Sequence, residues 1–169
     1  AVTALAHGGA TGIVKERMDA MAAMGDAVKT VTPMMRGEAA YDADTLRDAA
    51  RTFQEHSGEA MTSLFPEGSG GKPSEVKDTV WTEWDSFAAL ADQLSEYSKG
   101  LERAAGNGLG GMQNGSMMGS GSMMGGTSMM GGSDVMSASD IAAMPADGAF
   151  NMTMQVCSAC HSRFRAEKD

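Results

Sequence analysis

The chain has 169 residues, of which 22 are acidic and 13 are basic, so its formal net charge at neutral pH is −9. This length suits one ordinary domain with a single core. The negative charge disfavours nucleic acid and anionic membrane surfaces as partners, and it favours a protein with a basic patch or a small neutral ligand. No run of about 18 apolar residues is present, so the sequence predicts no membrane span.

The first predicted helix covers residues 13–35. Its apolar and small residues recur at steps of three and four, the spacing of one helix face. Pro33 and Gly37 predict its end. The residues of this stripe are Val14, Met18, Met21, Gly25, Val28, Val31 and Met35.

Two more helices are predicted in the next 70 residues. The second covers about 44–64 with Asp44 as its N-cap, and the third begins near Ser74 and ends before residues 106–108. His56 falls beside the inner stripe of the second helix, where a surface or packing role is expected rather than a ligand role. The inner stripe of the third helix is Val80, Trp84, Phe87, Ala91, Leu94, Ser98, Leu101 and Ala105.

Residues 106 to about 137 differ in composition from the rest of the chain, because Ser-Met-Met-Gly recurs there every six residues. Such a glycine-rich segment without a helical stripe predicts a flexible insertion. A fourth helix is expected to begin between Ser137 and Phe150 and to run to the C-terminus. The predicted organisation is therefore helices one to three (1–105), an insertion (106–147) and the fourth helix (148–169). Together they predict an all-α, antiparallel four-helix bundle.

The methionines of this insertion allow three interpretations. Thioethers are soft ligands that select copper in its lower oxidation state, so the doublets could form a copper site. A low-complexity expansion on the surface and an adaptable apolar tether for a partner are the other two. The eight residues concerned are Met112, Met117, Met118, Met123, Met124, Met129, Met130 and Met136.

The chain's only two cysteines, Cys157 and Cys160, precede His161 in a Cys-x-x-Cys-His motif. Two thiols at this spacing can add to the vinyl groups of haem, and the adjacent imidazole can bind the iron as the proximal ligand. A redox dithiol would need a βαβ context and a helix N-terminus, and zinc would need a second ligand pair. His7 and His56 stand alone, so we predict one covalently attached haem c.

The whole arrangement resembles the cytochrome c′ family, which includes the class II cytochromes c of the c-556 type. The resemblance covers about 1–105 and 148–169, and the methionine-rich insertion departs from it. It implies a periplasmic four-helix bundle, commonly a homodimer. The haem-attachment site itself leads us to expect that a leader has been removed. The matching stretches are 17–21 (RMDAM), 32–37 (TPMMRG), 41–43 (YDA), 65–69 (FPEGS), Trp81 with Trp84, and 157–165 (CSACHSRFR).

The resemblance places Met21 at the sixth coordination position of the iron, with Met18, Met24 or a histidine as alternatives. A bound thioether would give a low-spin haem suited to electron transfer. An unbound Met21 would leave the iron open to nitric oxide or carbon monoxide, since a methionine on an apolar helix face is often only packing. We expect an electron carrier with a His161/Met21-ligated haem, not an enzyme, docking a partner through that partner's basic patch. Gas binding is the alternative function, and copper handling by the insertion is a weaker one.

Two arginines are candidates for pairing with a haem propionate. Arg17 precedes Met21 by one helical turn, and Arg165 follows His161 by one turn. A guanidinium can pair with a carboxylate in bidentate fashion, while a solvated surface charge is the alternative for each. His7 is expected at the surface, and Trp81 and Trp84 are expected in the core and the haem wall.

Overall fold

The structure is a computed structural model that describes residues 9–110 and 135–166. Four long helices form an all-α bundle, which confirms the predicted fold class, and within the described ranges no strand occurs. None of the described helices is long and apolar enough to cross a membrane. The helices are α1 (Gly12–Met35), α2 (Ala43–Glu55), α3 (Glu59–Thr62), α4 (Thr79–Thr82), α5 (Trp84–Ala104), a 3₁₀ turn (Ala105–Asn107), α6 (Ala138–Ala142) and α7 (Ala146–Phe164).

The first helix has the predicted bounds to within one residue, but its inward face differs from the prediction. The buried residues are Arg17, Ala20, Met24, Val31 and Met34. This face lies about a quarter turn around the helix from the predicted stripe, whose members are mostly half-buried beside the core. Alanine and methionine occur around much of α1, so apolar periodicity alone does not fix its rotation.

The predicted second helix is broken in two. Asp42, rather than Asp44, caps α2, and its carboxylate accepts a hydrogen bond from the Thr45 backbone N–H. Gly58 ends the segment with a positive φ of 58°, a conformation that glycine adopts without strain. Its N–H donates to the carbonyl of Ala91 at 2.9 Å, which ties the break to α5.

The predicted third helix begins later than expected. Residues 74–77 do not join it, because they pair with the end of α7 instead: Val76 forms an antiparallel bridge with Arg165, and the N–H of Lys77 donates to the carbonyl of Phe164. A short helix (α4) and a break at Glu83 then precede α5. The consequence is a long connection across the end of the bundle, next to the haem-attachment motif.

The central helix is α5, which packs against α2, α6 and α7. At Gly100, an added Cβ would lie 2.5 Å from the Cβ of Ile141, so only glycine permits the close approach of α5 and α6. Ile141 is fully buried. The range 138–142, predicted as part of the flexible insertion, is therefore a packed helix, whereas residues 111–134 lie outside the described residues.

Candidate haem site

The haem-attachment motif lies in the last two turns of α7. The adjoining face of this helix is buried against α5 through Ala149, Thr153 and Val156, which fixes the rotation of α7. Cys157 and Cys160 pack at the margin of that buried face. Cys160 and His161 follow Cys157 by three and four residues, so the three side chains share one side of the helix. Both cysteines are free and half-buried, and His161 is exposed.

The surroundings of the two thiols distinguish haem attachment from a redox dithiol or a zinc site. Burial raises the pKa of Cys157 and raises the pKa of Cys160 to about 11. Both are therefore neutral thiols at neutral pH, whereas a redox dithiol needs a lowered pKa. Within the described ranges, no group of three His, Cys, Asp or Glu side chains could hold a metal ion. This donor set fits thioether attachment better than a redox or zinc site.

The imidazole of His161 is kept in the form that can bind iron. Partial burial lowers the pKa of His161, and the positive charge of Arg165 lowers it further. At neutral pH the ring is therefore mostly uncharged, with one nitrogen lone pair available for a metal.

The segment 75–77 anchors the residues that directly follow His161. The N–H of Ala166 donates to the carbonyl of Glu75 at 2.7 Å, next to the bridge between Val76 and Arg165. Arg165 also forms an exposed ion pair with Glu75, in which its Nε lies 2.7 Å from Oε2. The structure thus gives Arg165 a protein partner, and its predicted propionate contact stays a prediction.

The other candidate, Arg17, is buried and its donors are largely used by the loop that follows α3. Its Nη1 donates to the carbonyl of Leu64 and to Ser69 Oγ, while its Nη2 donates to the Ser69 carbonyl and to Ser74 Oγ. Its guanidinium also lies 4.7 Å from the centre of the Phe65 ring. These bonds use all four terminal N–H groups, so the bidentate pairing expected from the sequence is not available in this arrangement.

One donor of Arg17 is left over, and it bears on whether the site suits a haem. Nε is buried and has no acceptor among the described residues. A buried N–H without an acceptor costs about 1–3 kcal/mol, and a carboxylate such as a propionate would satisfy it. The residues present therefore fit haem c: Cys157 and Cys160 would hold it and His161 would ligate it. Bound haem supplies an iron that changes oxidation state and takes axial ligands.

The methionines of α1 divide between its two faces. Met24 is buried on the face that packs in the core, which disfavours it as an iron ligand. Met21 and Met18 are half-buried, and Met21 packs at the margin of the core. The distal position of Met21 stays a prediction. His56 lies at the C-cap of α2, and His7 is outside the described residues.

The sequence did not indicate the residues that hold the two arginines. Ser69, Ser74 and Glu75 lie in a connection with no periodic pattern, and their partners are 52 to 90 residues away along the chain. Only Arg17 and Arg165 themselves were recognisable from the sequence as candidate site residues. Trp84 also differs from the prediction, because it is 37% exposed rather than part of the core.

The fold and the site define a helical-bundle haem protein of the c type. The family model of cytochrome c′ matches residues 12–119. The chain is 30% identical over 93 residues to cytochrome c′ of Pararhodospirillum photometricum, covering 54% of this chain and 73% of that protein. It is also 30% identical over 83 residues to cytochrome c-554 of Cereibacter sphaeroides, covering 47% of this chain and 62% of that protein.

Solved structures agree with the fold. Cytochrome c′ from Thermochromatium tepidum superposes with a TM-score of 0.64 at 19% identity, covering 92% of this chain and 95% of that chain. A nitric oxide complex of a variant cytochrome c′ from Alcaligenes xylosoxidans gives 0.63 at 20% identity, covering 92% and 94%.

This chain belongs to the cytochrome c′ family, which carries covalently bound haem c. The family match ends before Cys157, so the attachment motif adds a separate observation at the other end of the chain. The copper prediction concerns Met112 to Met130, which lie outside the described residues, together with Met136, and no finding supports copper.

Proposed function

We propose that this protein is a haem c protein whose iron keeps one axial position open and binds a small gas such as nitric oxide or carbon monoxide. The observation that carries the proposal is membership of the cytochrome c′ family, in which a five-coordinate, gas-binding haem is typical. This reverses the order of the two functions expected from the sequence, where electron transfer came first.

The side chains of this chain suit that role. His161 supplies one neutral imidazole from α7. On α1, the half-buried stripe presents Val14, Met18 and Met21, which are apolar and carry no hydrogen-bond donor on their side chains. A distal pocket of low polarity favours neutral diatomic ligands over charged ones. Met21 then acts as a packing residue that limits the space above the iron.

Electron transfer with Met21 as the sixth ligand is the second candidate. The observation that favours it is the half-buried thioether of Met21 at the margin of the core, one helical turn from Arg17. Methionine and histidine together give a low-spin haem with a raised reduction potential.

Addition of carbon monoxide to the reduced protein tests the proposal. An open iron binds the gas and shifts the Soret band once equilibrium is reached, whereas a methionine-ligated iron keeps its reduced spectrum. Nitric oxide added to the reduced protein is the second arm. A reduced spectrum that stays unchanged with both gases contradicts gas binding and leaves electron transfer as the better proposal.

The setting proposed for the protein follows from its cofactor. Covalent haem attachment and the family imply the periplasm, and the family implies a homodimer. No turnover of a substrate is needed for gas binding or for electron transfer, so we propose that the protein is not an enzyme.

A further inference from the structure

The last turn of α7, which carries His161, is held by residues that precede α5 in the chain. The last carbonyls of a helix have no partner within the helix, so they need donors from elsewhere. Here the N–H of Lys77 donates to the carbonyl of Phe164 at 2.9 Å, and the hydroxyl of Thr79 donates to the carbonyl of Arg163 at 3.4 Å. The end of the haem-bearing helix is therefore fixed by a segment from another part of the chain.

Arg165 connects His161 with the segment 75–77. Its backbone N–H donates to the carbonyl of His161 at 3.0 Å, and it forms the antiparallel bridge with Val76. Its guanidinium pairs with Glu75, in which Nε and Nη2 lie 2.7 Å and 2.6 Å from the same oxygen, Oε2. The positive charge of this guanidinium acts on the imidazole, because it contributes, after burial, to the lowered pKa of His161. A change in the position or the pairing of the guanidinium therefore changes the electrostatic potential at the proximal ligand.

The main chain that carries Glu75 is itself anchored on both sides. On one side, Ser74 Oγ accepts hydrogen bonds from Nη2 of Arg17 at 3.0 Å and from the N–H of Val76 at 3.4 Å, which ties the segment to α1. On the other side, the carbonyl of Glu75 accepts from the N–H of Ala166 at 2.7 Å. Because its main chain is fixed in this way, Glu75 offers the guanidinium an acceptor at a defined place.

A second arginine–glutamate pair at the end of α7, between Arg163 and Glu83, provides a comparison. The arginine and glutamate side chains are exposed to the same degree in the two pairs, at 49% and 37% here against 47% and 37% in the pair of Arg165 and Glu75. Arg163 follows His161 by two residues, which is about half a turn around the helix, whereas four residues return to about the same side. The charge of Arg163 is not among the causes of the lowered pKa of His161. The two pairs thus differ chiefly in their position relative to the proximal ligand.

We propose that Glu75 is a positioning residue for the proximal side of the haem: it holds and neutralises the Arg165 guanidinium at the segment 75–77, and so sets the electrostatic potential at His161. A positive charge near a haem iron favours the reduced form, which carries one positive charge less than the oxidised form. Without the Glu75 carboxylate the guanidinium is neither neutralised nor held at the segment, so the reduction potential should rise. The inference rests on the proposed haem c site with His161 as its proximal ligand.

The reduction potential of the holoprotein, measured by spectroelectrochemistry at neutral pH, tests this role. Glu75→Gln keeps the size of the side chain and leaves in place the hydrogen bonds that the main chain of this segment makes. We expect it to raise the potential, so that the ratio of reduced to oxidised protein at a fixed applied potential increases about threefold, which is about 28 mV for one electron. The matched control is Glu83→Gln, which removes the same charge from the pair with Arg163 and should shift the potential by less than half as much.

The same substitution in an Arg165→Gln background shows whether Glu75 acts through Arg165. Arg165→Gln alone should lower the potential, and in its presence Glu75→Gln should shift the potential no more than Glu83→Gln does, because the guanidinium that Glu75 positions is missing. Equal shifts in the two single glutamate variants would overturn the proposal. So would a fall in the potential of Glu75→Gln, or an excess shift that persists without Arg165. The potential can be measured for an open iron and for a methionine-ligated iron, so this outcome is independent of the gas test.

Discussion

The two helices α1 and α7 are expected to face opposite sides of the haem, and they carry their functional residues in different ways. On α7 the thiols and the imidazole belong to one motif on one side of the helix, and the two cysteines pack at the margin of the core. On α1 the residues of interest alternate with core residues, and Arg17 is already engaged by the loop after α3.

This difference shows that a short stretch of sequence specifies the attachment side of a haem site, whereas the distal side is not specified in this way. Covalent attachment needs fixed spacing along one helix, so a short motif specifies it. The distal side needs only a suitable surface, and that surface depends on how α1 is rotated against α2. The variants below test whether α7 fixes the cofactor while α1 decides what the iron binds.

Removing both thiols should have the largest effect. In Cys157→Ala/Cys160→Ala, no thioether can form, so haem should be lost completely on denaturation. Haem staining after denaturing electrophoresis, together with the protein mass, measures this. Ser158→Ala, an exposed change inside the same motif, is the control and should keep the haem. Haem that stays bound to the denatured double variant would contradict the assignment.

The two arginines should differ strongly in their effect on stability. Arg17→Gln removes a buried guanidinium and leaves half-buried acceptors at Leu64, Ser69 and Ser74 without their charged donor, and we expect it to lower the free energy of unfolding by about 3 kcal/mol. Arg165→Gln removes an exposed ion pair and should cost less than about 1 kcal/mol. Urea unfolding of the two holoproteins compares them, and equal losses would contradict the placement of Arg17.

Met21 and Met24 lie on different faces of α1, so a substitution at each position tests one face. Met21→Leu should leave the spin state of the oxidised haem unchanged and alter the carbon monoxide affinity by a few-fold, since it changes shape but not ligation. Met24→Leu, on the packed face, should change neither and should cost less than about 1.5 kcal/mol of stability. Visible absorption and gas titration measure both. A change of spin state in Met21→Leu would mean that Met21 is a ligand.

The smallest expected effect concerns the charge next to His161. In the haem-free protein the folded pKa of His161 is lowered by burial and by Arg165, so the unfolded chain takes up a proton first as the pH falls. Stability is therefore fully present above the ordinary pKa of about 6.5 and decreases as the pH falls through the lower folded value. Arg165→Gln should raise the folded pKa and reduce that loss, as followed by NMR of the imidazole protons. A pKa that does not rise would show that Arg165 has no influence on the ring.

Much of this fold could be predicted from the sequence, and the failures have definite causes. The bounds of α1 and the buried stripe of α5 followed from periodicity, with Trp84 as the exception. The break at Gly58 depends on a bond to Ala91 that no local pattern shows. The start of α5 was missed because residues 75–77 pair with the end of α7, almost 90 residues later.

The candidate site could likewise be predicted only in part. Cys157, Cys160 and His161 were recognisable because attachment chemistry needs that spacing. The partners of Arg17 and Arg165 were not, because serine and glutamate in an irregular connection carry no signal. Whether Met21 would bind the iron depends on how α1 is rotated and packed, which residue types alone do not determine.

Electron paramagnetic resonance of the oxidised holoprotein at neutral pH tests the central claim most directly, because it reports the coordination of the iron. We predict a high-spin signal, as expected for His161 as the one axial ligand from the protein. A low-spin signal that becomes high-spin on Met21→Ala would contradict it, and would establish Met21 as the sixth ligand.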